Sequence, residues 1–158
     1  MINARAETAA VRPAFRDALR ARRCLIPADG FYEWKHEGKR KLPFCFTVTG
    51  DATTGDAVFA FAGLWERWRT PRGQTLESCA ILTTTANALG QDVHDRMPVI
   101  LPPEAYELWL DPGFHNIAEL TALLKPYPAP AMRRYRVSER VNQVQNDDEE
   151  CAAEFGAA

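Results

Sequence analysis

Two positions in the chain carry the side chains best suited to moving a proton. Glu33 lies in Phe31-Tyr32-Glu33-Trp34-Lys35, directly after the breaker Pro27-Ala28-Asp29-Gly30. Residues two apart on a strand share a face, so Glu33 points with Phe31 while Tyr32 and Trp34 point the other way. A carboxylate among aromatic rings near a glycine turn is raised in pKa by burial, which suits a proton carrier. The plainer alternative is a surface glutamate on an edge strand. His94 sits in Asp92-Val93-His94-Asp95-Arg96-Met97-Pro98. Pro98 pushes Met97 out of helical geometry, so this segment reads as an ordered loop or extended chain. A histidine between Asp95 and Arg96 has its charge state set locally and suits acid–base or anion-binding work. A solvated loop histidine is the alternative, and that is how His36 and His115 are read.

Asn3 and Arg5 are two apart, so on a strand they face the same way. An asparagine amide can orient an amine or a carbonyl, and an arginine can hold a phosphate through two parallel bonds. Trp34, and Trp65 with the arginines up to Arg69, could stack nucleobases beside phosphate contacts, although core packing explains any single tryptophan as well. Cys24 and His94 could be imagined as a thiol-protease pair, but the sequence supplies no third group.

These residues need elements to hold them. Pro13 suits the first turn of a helix with Phe15 and Leu19 on one face, running into Arg20, Arg22 and Arg23. Phe31 to Lys35 reads as a strand, Glu37-Gly38-Lys39 as a turn, and Leu42 to Thr49 as a half-buried strand starting at Pro43. Val58 to Trp65 is apolar on both faces, which predicts a central strand. Thr70-Pro71-Arg72-Gly73 is a loop, and Ser78 to Thr84 a further strand. Two short helices follow, from Pro103 to Leu110 and from an N-cap at Asn116 with Glu119 three residues on. Met132 to Val137 closes the strand set. Strands joined by short turns, with helices grouped rather than alternating, predict an α+β fold: a curved, mostly antiparallel or barrel-like sheet with flanking helices. No glycine-rich phosphate loop supports a doubly wound nucleotide fold.

Composition bounds the rest. The chain has 158 residues, 46% hydrophobic and 25% charged, an ordinary globular balance that predicts one domain. No apolar run approaches the ~18 residues of a membrane span, and the opening is too short for a secretory leader. Net charge is −2, but Asp147, Asp148, Glu149, Glu150 and Glu154 are unopposed in residues 142–158, leaving the preceding part at +3. That permits a phosphate-binding face without demanding one. A domain over 1–145 with a flexible acidic tail over 146–158 is expected. Cys24, Cys45, Cys79 and Cys151 are far apart, with no CxxC and no metal-ligand spacing, so buried free thiols, a cytoplasmic location and no metal or organic cofactor are expected.

Taken together, the segments resemble a known family. Ile2-Asn3-Ala4-Arg5-Ala6-Glu7-Thr8, Arg23 through Trp34, Phe61-Ala62-Gly63-Leu64-Trp65-Glu66, Leu82-Thr83-Thr84, His94-Asp95-Arg96-Met97-Pro98, Val137-Ser138 and Val141-Asn142 are similar, in this order, to the SRAP family (SOS response-associated peptidase). The similarity covers nearly the whole chain. It implies a monomeric sensor of abasic sites in single-stranded DNA, with peptidase, lyase and crosslinking character. In that family an N-terminal cysteine attacks the opened sugar aldehyde through its α-amine, and the thiol then closes a thiazolidine ring. By resemblance, Asn3 positions the α-amine, Glu33 is the acid–base carboxylate, and His94 stabilises the opened sugar and assists reversal. Arg5 and Arg96 match phosphate contacts, and Trp34 and Thr83 match the DNA groove. The family's Met-Cys-Gly-Arg opening is absent from this sequence, which is expected to be N-terminally truncated and, as it stands, to form no thiazolidine. Two other readings stay open: a non-catalytic single-stranded DNA-binding module and a cysteine peptidase acting on proteins.

Overall fold

The computed structural model describes residues 1–50 and 55–156. In chain order the elements are β1 (Asn3–Arg5), α1 (Ala6–Ala9), α2 (Arg16–Ala21), β2 (Arg23–Ala28), β3 (Phe31–Glu37), β4 (Arg40–Thr49) and β5 (Asp56–Ala57). They continue with β6 (Phe59–Arg69), β7 (Thr75–Thr85), β8 (Arg96–Pro98), β9 (Ile100–Leu101), α3 (Tyr106–Leu110), α4 (Ile117–Ala122) and β10 (Met132–Arg136). Short 3-10 turns lie at Pro103–Ala105, Ala129–Ala131, Glu139–Asn142 and Glu149–Cys151. No helix among the described residues is long and apolar enough to cross a membrane.

The chain folds as two compact units, the first from residues 1–27, 59–85 and 97–127, the second from 28–58, 86–96 and 128–158. The first is built on a mixed sheet of order β1-β7-β6-β2, with β8 on β7 and β9 on β6. β1 runs parallel to β7, whereas β6 is antiparallel to β7 and β9. Its core gathers Leu19, Leu64, Leu82, Val99, Leu101 and Trp109. The expected central strand is β6, buried from Phe59 to Leu64. It runs four residues beyond Trp65 because β7 starts at Thr75 and continues the ladder to Arg69↔Thr75. Gly63 lets β2 lie close: a Cβ there would come 2.7 Å from Cys24 Sγ and 2.9 Å from Ile26 Cδ1.

Arg23, which the sequence places at the basic end of the preceding helix, is instead the first residue of β2, buried at 6% exposure. Its guanidinium still serves the helix end. Nη1 donates to the carbonyls of Leu19 (2.9 Å) and Arg20 (2.6 Å), while Nε donates to Trp109 O (2.6 Å). Nη2 donates to Asp111 O and to Phe114 O at 3.2 Å. The helix itself begins later than Pro13, at Arg16, and α1 was not foreseen. Asn116 caps α4 as expected, accepting the Glu119 N–H at 3.3 Å.

The second unit is built on the antiparallel order β10-β4-β3, with β5 on β4. β3 and β4 form a hairpin paired from Phe31↔Phe46 to Glu37↔Arg40. Gly38, at φ 61°, opens its two-residue turn, a position that favours glycine. The expectation of a half-buried strand beginning at Pro43 is corrected. β4 starts at Arg40 and is buried on both faces over most of Leu42–Val48, because the 86–96 segment is tied over its Phe44–Phe46 face through Arg134 and the C-terminal segment at Ala152 borders its Cys45–Thr47 face. In the acidic C-terminal segment Arg140 binds Asp148 at 2.6 Å, Cys151 is buried, and the Phe155 N–H donates to Arg136 O at 2.7 Å.

The expectation of buried thiols holds for Cys45 and Cys151 only. Cys24 is half-buried and Cys79, on the β7 face turned away from the core, is exposed. All four are free.

Candidate functional site

Strand alternation gives the second unit's sheet two faces. Residues opposite one another in an antiparallel pair share a face, so Phe31, Glu33 and Lys35 lie with Phe46, Phe44 and Leu42, and with Met132, Arg134 and Arg136 of β10. Phe31 stacks on Phe46 at a centroid distance of 5.1 Å. The Arg134 guanidinium lies 5.2 Å from the Phe44 ring centroid.

Residues 86–96 pack on this face as a closed loop. Its ends are tied by the Ala86 N–H donating to Asp95 O at 2.9 Å. Inside it, Asn87 Oδ1 accepts the N–H groups of Leu89 and Gly90, both at 3.1 Å. The His94 N–H donates to Gly90 O at 3.0 Å. Arg134 is the clamp: its Nη1 donates to Leu89 O at 2.8 Å and to the Asp92 carboxylate. That hydrogen bond, with the Arg134 charge behind it, holds the Asp92 carboxyl below its usual range against the opposing push of burial. Asn87 also reaches Met132 Sδ at 3.3 Å, and Lys35 Nζ lies 4.0 Å from Asp92.

The clamp delivers His94 to Glu33. His94 Nδ1 is 4.0 Å from Glu33 Oε2 and 3.5 Å from Asp95 Oδ1. The Glu33 side chain is 24% exposed and the His94 side chain 43%, so both are reachable from solvent. Burial pushes the Glu33 carboxyl above the ordinary glutamate range. The His94 imidazole and the Trp34 backbone N–H pull it down, and Asp95 adds to the rise. The Arg96 N–H donates to His94 Nδ1 at 3.0 Å, which places the proton of the neutral ring on Nε2. In the charged ring, Nδ1–H faces the carboxylates of Glu33 and Asp95 and the Arg96 carbonyl at 3.2 Å. At 4.0 Å the carboxyl and the imidazole face each other beyond direct hydrogen-bond reach, with room for one bridging oxygen between them.

Trp34 takes the other face of β3. Its indole N–H donates to Asn142 Oδ1 at 2.6 Å, and its ring lies 6.4 Å from Tyr32. That face carries a cavity of about 330 Å³ lined by Tyr32, Cys45, Thr47 and Tyr135, among others. Arg96, the first residue of β8, contributes its backbone to His94.

The remaining candidates belong to the first unit. β1 buries Ala4 and exposes Asn3 and Arg5 on one face, as their spacing implied. Arg5 is the register partner of Thr83, whose hydroxyl donates to Ala4 O at 3.5 Å, and Asn3 is the partner of Ile81. The structure thus brings Glu33 and His94, singled out separately in the sequence, to within 4.0 Å of each other, and adds Arg134, Asp92 and Asn87, which hold the loop. Their only sequence signal was Asp92 within the segment quoted for His94. Cys24 is a poor nucleophile: burial, with Cys79 nearby, pushes its thiol up to about 11. Among the described residues no cluster of ligating side chains could hold a metal ion.

Residues 1–144 match the family described as SOS response associated peptidase (SRAP). Over 151 residues the chain is 47% identical to abasic site processing protein YoqW of Bacillus subtilis (strain 168), covering 95% of this chain and 65% of that protein. It is 31% identical over 166 residues to abasic site processing protein HMCES of Xenopus tropicalis, covering 96% of this chain and 49% of that one. A crystal structure of a Bacteroides thetaiotaomicron protein superposes with a TM-score of 0.87 at 33% identity, over 96% of this chain and 65% of that one. The chain spans less than two thirds of the length of each of these relatives.

Proposed function

Given that the chain belongs to the SOS response associated peptidase (SRAP) family, we propose that it processes abasic sites in single-stranded DNA, with Glu33 and His94 as its acid–base pair. The observation that carries this reading is the 4.0 Å approach of His94 Nδ1 to a half-buried carboxyl whose pKa is raised. An abasic sugar is a closed hemiacetal in equilibrium with an aldehyde, and opening it requires a proton on the ring oxygen and one removed from the anomeric hydroxyl. A carboxyl that holds its proton more tightly than an ordinary glutamate can give the first, and its carboxylate or the imidazole can take the second.

The family resemblance implies a covalent step that follows ring opening. The α-amine of an N-terminal cysteine adds to the aldehyde, the carbinolamine loses its hydroxyl as water with a proton from Glu33, and a Schiff base forms. The nitrogen returns its N–H proton to the Glu33 carboxylate, and the thiol then adds to the C=N carbon with its proton passing to nitrogen, closing the thiazolidine. Cys24, Cys45, Cys79 and Cys151 are internal and carry no α-amine, so none of them is that aminothiol. Asn3 is proposed to orient the amine, and Arg5, Trp34, Thr83 and Arg96 to contact DNA.

The test is an adduct assay. The chain extended upstream by a segment opening Met-Cys-Gly-Arg is incubated with single-stranded DNA holding one abasic site and run on a denaturing gel. A heat-stable adduct on abasic but not on undamaged DNA is expected, and none on either overturns the reading. A peptidase acting on other proteins through Cys24 has little support, since its thiol remains protonated at neutral pH.

A further inference from the structure

The β6–β7 hairpin projects beyond the core of the first unit, and its chemistry is not used by the proposed site. Trp68 and Leu76 are register partners, so they share one face, and they are 55% and 56% exposed. Two large apolar side chains side by side in solvent form the kind of exposed apolar patch that marks an interaction surface. The acids of the hairpin are already taken: Glu66 binds Arg22 at 2.7 Å, and Glu77 binds Arg67 at 2.5 Å. Arg69, at the last pair of the ladder, and Arg72, in the loop, have no acidic partner among the described residues. The loop between them is set by three hydrogen bonds: Thr70 N–H to Gln74 O at 2.7 Å, Gly73 N–H to Thr70 O at 2.9 Å, and Gln74 N–H to Thr70 Oγ1 at 3.1 Å. Gly73, at φ 81°, occupies the left-handed position that this turn requires.

We infer that this hairpin is a second contact for single-stranded DNA, with one base stacked on the Trp68–Leu76 platform and neighbouring phosphates on Arg69 and Arg72. An exposed indole on one face of the hairpin, with the unpaired guanidinium of Arg69 on the other face and that of Arg72 at the turn, matches a flexible polyanion with flat bases that passes round the hairpin end, because stacking tolerates any base and the charges track the backbone. The inference rests on the proposed abasic-site reading and extends it in space. Thr83, proposed to contact DNA at β1, is eight residues along β7 from Thr75 at the hairpin end. At about 3.4 Å per residue that is roughly 27 Å. Stacked nucleotides at 3.4 Å per step would need about eight to span it.

The test is fluorescence anisotropy of end-labelled 5-mer and 20-mer single-stranded DNA, each with a central abasic site, against the 158-residue chain over a range of salt. Losing one stacked base weakens binding at least about fivefold, so W68A is expected to do this on the 20-mer and W68F to recover most of the loss. R69A/R72A is expected to lower the salt slope on the 20-mer by about 1.4. Both changes are expected to leave the 5-mer within twofold, whereas R5A weakens both lengths. If the wild-type chain binds the 20-mer and the hairpin variants match it within twofold, the hairpin contact is overturned and the abasic-site reading stands. An equal loss on the 5-mer also overturns it, since the contact would then not lie a strand-length away. If the wild-type chain binds neither length, the abasic-site reading fails and the hairpin contact fails with it.

Discussion

Replacing Arg23 by methionine should unfold the first unit at a much lower temperature while leaving its volume almost unchanged. The guanidinium donates to the carbonyls of Leu19, Arg20, Trp109, Asp111 and Phe114, which come from two separate stretches of chain. Burial pulls its pKa below the ordinary value and Asp111 pushes it back. A single hydrogen bond from a charged group contributes about 1.5–3 kcal/mol, but five on one residue do not add. Methionine keeps the apolar stem and removes every donor, so the cost is dominated by carbonyls left unsatisfied. Breaking a buried charged network from one side costs about 3–5 kcal/mol. For a chain of this length each kcal/mol shifts Tm by about 2–4 °C, so R23M should melt roughly 6–20 °C lower. R23K keeps the charge but cannot reach five carbonyls with one ammonium, and should fall between the two. Scanning calorimetry on the three proteins checks this. An R23M midpoint within 2 °C of the parent would refute the claim that this cage fastens the end of α2 to the segment after α3.

Gly63→Ala should destabilise by about 1–3 kcal/mol through its clash with Cys24 Sγ, and C24A/G63A should regain part of that loss in urea denaturation. Arg134→Met should leave the sheet folded but speed hydrogen exchange over residues 86–95 and slow adduct formation, since it releases the loop from Asp92 and Leu89 O. The raised Glu33 pKa has a signed consequence. The folded state binds that proton more tightly than the unfolded chain, so stability falls as pH rises from the ordinary glutamate value, 4.5, toward the folded one. E33Q should therefore match the parent in stability at pH 3.5 and exceed it at pH 7. Equal differences at both pH values would show that the carboxylate bears no burial cost.

The face of β3 that carries Glu33 was legible because period-two alternation is a local property: Phe31-Tyr32-Glu33-Trp34 can turn its side chains only one way or the other. The Asn116 cap and the Gly38 turn were legible for the same reason. What escaped was decided by distant partners. Arg134 reads as one more outward residue of a short strand, and nothing nearby says that a loop over forty residues earlier will offer it Leu89 O and Asp92. Arg23 looked like a helix-end base, and it does bond two helix carbonyls, but its burial depends on Trp109 and the turn after it. The two-sided burial of β4 follows from the distant segments that lie over its faces, 86–96 and the C-terminal residues at Ala152, rather than from its own alternation. β7 extends past its apolar part because a tight, ordered loop continues the ladder where composition gave no signal.

The central claim is that Glu33 moves a proton during abasic-site chemistry, and the rate of adduct formation by E33Q tests it most directly. In the upstream-extended chain, with abasic single-stranded DNA in excess, general acid–base catalysis contributes about 10²–10⁴-fold. E33Q should be slower by that factor at pH 7 while binding the same DNA with unchanged affinity. A rate within threefold of the parent would contradict the account, whatever the distance between the two side chains.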